Sequence, residues 1–101
     1  MSERTVPDYL TLNDDYSVTV KLSRPYDENG VKKESITLRE PTAREQRQFS
    51  PASDKVSPAQ LGTLEEKMLA SLADGVTPEF LGNLAMRDYG RVQTAFSFFT
   101  D

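Results

Sequence analysis

Neither cysteine nor histidine occurs in the 101 residues of this chain. Without cysteine there are no disulfides and no thiolate chemistry, and since a secreted domain this small usually needs such staples, the cytoplasm is the expected compartment. Together the two absences remove the usual general base, the usual nucleophile and the usual zinc ligands, leaving only carboxylates, lysine and hydroxyls for any reaction. The five glycines, at 30, 62, 75, 82 and 90, stand alone, so neither a phosphate-cradling loop nor a dinucleotide fingerprint can be drawn. No stretch approaches the roughly 20 apolar residues that span a bilayer, and MSERTVPDYL lacks the apolar centre of a signal peptide. Positive charge is the scarcer sign: 12 Lys and Arg stand against 16 Asp and Glu, a net charge of −4. That balance gives no electrostatic basis for binding nucleic acid or a membrane surface. A soluble, non-enzymatic chain with no cofactor and no metal is expected, and a protein is its natural partner.

What is present reads as one α+β domain over residues 1–101. The first eight residues read as a flexible N-terminus, and a three-stranded antiparallel β-meander is expected over 9–40. Tyr9-Leu10-Thr11-Leu12 forms its first strand. The turn letters Asn13-Asp14-Asp15 then lead by a tight hairpin into Tyr16, Val18, Val20 and Leu22, which alternate with polar residues as a half-buried strand does. Arg24-Pro25 is read as the end of that strand, Gly30 as a turn residue free to take positive φ, and Ile36 and Leu38 as the third strand. Val31 has the opposite parity to Ile36 and Leu38, so the regular part of the third strand is expected near Glu34 unless a bulge intervenes. The acidic letters at 13–16 lack the turn glycine and distant glutamate of a calcium loop.

At ITLREPTARE the strand must stop, because Pro41 cannot continue a ladder. Thr42, with Glu45 three residues on, forms a capping box, and a short helix is predicted over 42–49, anchored by little beyond Ala43 and Phe49. Arg39, Pro41, Thr42 and Glu45 are therefore assigned to architecture. Residues 50–57 read as a mobile linker, and 58–99 as a bundle that brings the total to three or four short helices. Ser57 and Pro58 start a helix whose Leu61, Leu64, Met68, Leu69 and Leu72 recur at helical spacing. Gly75 closes it, and Thr77-Pro78 restarts the chain with Phe80, Leu81 and Leu84 inward. A last segment lines up Val92, Ala95, Phe96 and Phe99. Asp88 is either an N-cap at a break or a carboxylate within a continuous helix, and Gly90 favours the break; in both readings its role is structural.

Two residues defy simple patterning. Glu65 falls within the apolar stripe of the long helix and must either reach solvent at the core's edge or pair with Arg39 or Arg87. Phe98 lies about 110° from its helix's stripe and is either an exposed interface residue or folded inward with Phe99. The residues picked for binding a partner are Leu64, Met68, Leu72, Phe96, Phe98 and Phe99.

The succession VTVKLSRP, NG, ITLREPTARE, an amphipathic helix and LGNLAMRDYGRVQTAFSFF resembles the tail assembly chaperones of Mu-like and P2-like bacteriophages over roughly residues 16–99. The strand-to-helix phrase with Leu38, Arg39, Pro41 and Thr42, and the closing Leu84, Asp88 and Phe96-x-x-Phe99, carry the likeness. It implies a non-enzymatic protein in the host bacterial cytoplasm, absent from the mature virion. There it would bind the tape measure protein while tail tube protein polymerises around it. It also implies a family habit, a ribosomal frameshift near the end of the reading frame, on which only the nucleotides encoding FSFFTD bear. Three other readings stand beside it: a phage regulator that binds a host protein, a minor structural tail component, and a carboxylate hydrolase using Asp14, Asp15 and Asp27. Exposed apolar helices in a short chain also make a homo-oligomer an expectation.

Overall fold

Alternating β-branched and aliphatic residues build a sheet whose apolar side must be covered, and the helical C-terminal half covers it. The computed structural model describes residues 5–28, 30–48, 57–73 and 75–100. The strands are β1 (Leu10–Leu12), β2 (Val18–Glu28) and β3 (Val31–Leu38), joined as an antiparallel sheet of order β1-β2-β3. The helices are α1 (Ala43–Gln48), α2 (Pro58–Leu72), α3 (Pro78–Gly82) and α4 (Met86–Ser97). The α+β arrangement read from the sequence is the one observed. The expected flexible start at 1–4, Phe49 as an anchor, and the linker at 50–56 lie outside the described residues.

Leu10, Val18, Val20, Leu22, Ile36 and Leu38 point into one core with Leu69, Leu72, Phe80, Leu81, Val92 and Ala95. The opposite face of the sheet is polar: Thr19 and Thr37, directly paired, share a hydroxyl hydrogen bond of 3.0 Å. α4 lies against β2, and Arg91 adds a clamp there by stacking 4.6 Å from the Tyr9 ring centroid while donating to the Lys21 carbonyl at 2.9 Å.

Three expectations for the sheet need correction. Tyr16 is not a strand residue: it sits in the turn with φ +69 and is exposed, and β2 starts at Val18. The turn closes through Asn13 N–H to the Ser17 carbonyl and Tyr16 N–H to the Asn13 carbonyl, a path that requires one left-handed residue. Arg24-Pro25 does not end β2 either. The ladder runs Lys21↔Ser35, breaks, and resumes at Tyr26↔Lys33, so residues 22–25 face the single residue Glu34. Pro25 has no N–H to offer a ladder, and a bulge is the place in a central strand that tolerates it. The same break answers the parity problem of β3. That strand begins at Val31, not near Glu34, and Lys33 and Ile36, three residues apart, both reach the helix layer because the irregularity falls between them. Lys33 there donates to the Gly75 carbonyl at 3.1 Å and its ammonium lies 5.8 Å from the Phe80 ring centroid.

The caps follow local chemistry. Ser57 Oγ accepts from Gln60 N–H while Gln60 Oε1 accepts from Ser57 N–H, with Pro58 in the first turn. Thr77 caps α3 through a single bond, its hydroxyl oxygen accepting from Phe80 N–H at 3.1 Å, ahead of Pro78. Gly30 and Gly75 take positive φ, +81 and +72, where a Cβ would be strained.

Candidate partner-binding surface

The opening corner is a joint. Thr42 Oγ1 accepts from Glu45 N–H at 3.2 Å, Glu45 Oε1 accepts from Thr42 N–H at 3.1 Å, and the Arg39 guanidinium grips both Glu45 oxygens. The Arg39 bonds, then the Thr42 N–H, hold the Glu45 carboxyl down at about 2. Arg39 N–H also donates to the Leu72 carbonyl at 2.9 Å, tying the end of β3 to the end of α2. α1 itself buries no residue, and Pro41 is half-buried before it.

Asp88 is neither of the two things expected of it. The break lies upstream at 83–85, Ala85 takes the cap position without a side-chain bond, and Asp88 occupies the first turn of α4. It is fully buried, and it receives Ser23 N–H at 2.7 Å, the Ser23 hydroxyl at 2.8 Å and the Tyr26 hydroxyl. Burial pushes its carboxyl up, but the bonds from Tyr26 and Ser23 and the charge of Arg91 outweigh this and leave it below its ordinary value. The Tyr26 hydroxyl accepts Ala85 N–H at 3.1 Å, so the bulge of β2, the α3–α4 turn and α4 share one polar knot. Its donors and acceptors are spent on one another, which is the arrangement of a fastener and not of a reactive centre.

The acidic residues considered for hydrolysis do not meet. Asp15 lies in the β1–β2 turn, bonded to Ser17, and Asp27 lies near the far end of β2, where it pairs with Lys32; the matching stretch of β3, Lys32 to Leu38, sets the separation at about 20 Å at roughly 3.3 Å per residue.

Glu65 keeps part of the solvent access expected at the core's edge but forms none of the expected ion pairs. It is half-buried and pairs with neither Arg39 nor Arg87: its Oε1 accepts the Tyr89 hydroxyl at 2.7 Å and Gln93 Nε2 at 2.9 Å. Burial, then this carboxylate, push the Tyr89 phenol well above its ordinary range. The reason is a rotation of α2. Its buried residues are Leu69, Ala70 and Leu72, so the side turned to α3 and α4 is that of Glu65, Glu66 and Leu69, while Leu61, Leu64 and Met68 stand along one flank.

Of the residues picked for a partner, Leu72 is 3% exposed and belongs to the core. Phe96, Phe98 and Phe99 are half-buried and packed on that core, with Phe96 and Phe99 meeting edge to face at 5.9 Å. Phe98 is thus not an exposed outlier, because α4 ends at Ser97 and the chain turns both aromatics back. Met68 is likewise half-buried and packed on the core, Leu64 remains partly open, and beside them Leu61 is 46% exposed. Met86, 92% exposed, went unnoticed in the sequence. It stands at a cleft of about 300 Å³ lined by Leu81, Leu84, Tyr89, Gln93 and Glu66. A signal existed, since at 100° per residue Met86 lies about 120° from Val92 on α4 and so could not share its buried stripe.

The sequence profile of the family described as "Phage tail assembly chaperone proteins, E, or 41 or 14" matches residues 19–101. Neither a curated protein nor a solved structure matches the chain.

Proposed function

Because this chain belongs to the family of phage tail assembly chaperone proteins, we propose that its client is the tape measure protein. It shields the client's apolar helices until tail tube protein polymerises around them, acts by binding alone in the cytoplasm of the host bacterium, and is left out of the finished virion. The observation that carries this reading is the part of α2 that precedes Leu69. No residue there is buried before Leu69, yet Leu61, Leu64 and Met68 hold an apolar flank partly open to solvent. A helix flank of that kind suits a partner helix laid along it, Met68 adapts to uneven apolar surfaces, and the net charge of −4 keeps the complex dispersed.

Co-expression with the neighbouring tape measure gene tests it. The tape measure protein should move to the soluble fraction and co-purify with the chain, and a Leu61→Ser, Leu64→Ser double variant that stays folded should lose both effects. A tape measure protein equally soluble alone would overturn the assignment, and recovery of the chain from purified virions would make it a structural tail component.

A further inference from the structure

The cleft beside Met86 combines four features. Its floor is apolar, made by the buried side chains of Leu81 and Leu84. It lies between helices, with Glu66 on α2 and Met86, Tyr89 and Gln93 on α4. Its volume of about 300 Å³ is at the lower limit for small-molecule sites, a size that suits a side-chain anchor. Its charge has one sign. No Lys or Arg lines it, Glu66 stands over Gly82 with its oxygens 3.5 Å from where a Cβ would lie, and the Glu65 carboxylate is bonded to two of the lining residues, Tyr89 and Gln93. Among the described residues Glu66 forms no ion pair.

We infer that this cleft anchors a basic amphipathic helix of the partner, one of whose apolar side chains enters over Leu81 and Leu84 while its Lys or Arg residues meet Glu66 and Glu65. The inference deepens the proposed client binding and borrows from it only the client's identity. An apolar anchor beside uncompensated carboxylates selects a helix with basic flanks and rejects an acidic one, because like charges at a partly desolvated rim cost affinity. Met86 is unbranched and almost wholly free, so it folds over whatever side chain enters.

The probe is a fluorescent synthetic helix with a leucine face and a lysine face, titrated into the full chain alongside a twin carrying glutamate for lysine. The lysine helix should bind and its glutamate twin should not. Met86→Asp should weaken the lysine helix by about tenfold, the loss expected when one buried methionine contact is removed, although it adds negative charge. Glu66→Gln should weaken it by about threefold at low salt and less at high salt. Met86→Gln, which leaves the charge unchanged, should reproduce the methionine effect. Equal binding of the two helices, or affinity indifferent to both Met86 variants, overturns the cleft as an anchor. Lysine-helix binding that depends on Met86, in a chain that fails to solubilise the tape measure protein, upholds the cleft and removes the client.

Discussion

Asp88 accepts both the main-chain N–H and the hydroxyl of Ser23, at 2.7 and 2.8 Å, across 65 positions of sequence. The most irregular part of β2 is thus completed by a side chain from the last helix. Asp88→Ala leaves the two Ser23 donors, partly shielded by the last helix, and the Tyr26 hydroxyl without their acceptor, and should cost about 2 kcal/mol in urea unfolding. Tyr26→Phe removes one spoke of the knot and should cost about 1 to 2 kcal/mol. Wild-type stability in Asp88→Ala would mean that the knot fastens nothing.

The same carboxylate, with Glu45, sets the acid limit. Both groups have folded-state pKa values below their unfolded ones, Glu45 at about 2 against 4.5 and Asp88 below 3.8. A depressed carboxylate contributes stability that is present above its unfolded value and is lost as pH falls through its folded value. The urea midpoint should therefore hold from neutral pH to about 5 and decline from about 4.5 towards 2. Glu45→Gln should flatten part of that decline, and because the Arg39–Glu45 pair is exposed, its share should shrink in molar salt.

Local chemistry made much of the fold legible: the alternation at Val18, Val20 and Leu22, the caps at Thr42, Ser57 and Thr77, and the left-handed glycines all act within a few residues. The failures share a longer range. Nothing near Arg24-Pro25 announces that β2 continues, because the bulge is stabilised through Ser23 and Tyr26 by Asp88 and Ala85 from far along the chain. Glu65 looked like a defect in an apolar stripe for the same reason. Its partners sit on α4, and α2 turns inward only the C-terminal part of the stripe, Leu69 and Leu72. A periodic pattern shows that α2 has an apolar stripe holding Leu64, Met68 and Leu72, but a pattern does not say which end of a helix the core covers. Leu72 was therefore misplaced on the surface and Met86 was missed.

The α2–α4 seam offers a direct measure of that tertiary partnership. Tyr89 donates to Glu65 at 2.7 Å, and the pair is partly shielded from water. A double-mutant cycle with Glu65→Gln and Tyr89→Phe should give a coupling of about 1 kcal/mol, the usual range for a hydrogen bond to a charged acceptor in a half-open site. Additive effects would mean that the two side chains are neighbours without being partners.

Phe98 and Leu61 separate core from surface. Phe98 caps the end of α4 and packs on the core, whereas Leu61 stands on the open flank of α2. Phe98→Asp drives a carboxylate against buried side chains and should lower stability by about 2 to 4 kcal/mol, read as an earlier thermal melt in circular dichroism. Any loss of client binding in that variant would then follow from unfolding. Leu61→Asp should change stability by no more than about 0.5 kcal/mol, since surface substitutions away from packed features rarely do more. Its effect should appear in the pull-down alone, as tape measure protein left in the pellet. The reverse outcome, a folded Phe98→Asp that loses the client and a Leu61→Asp that keeps it, would move the binding surface from the flank of α2 to the end of α4.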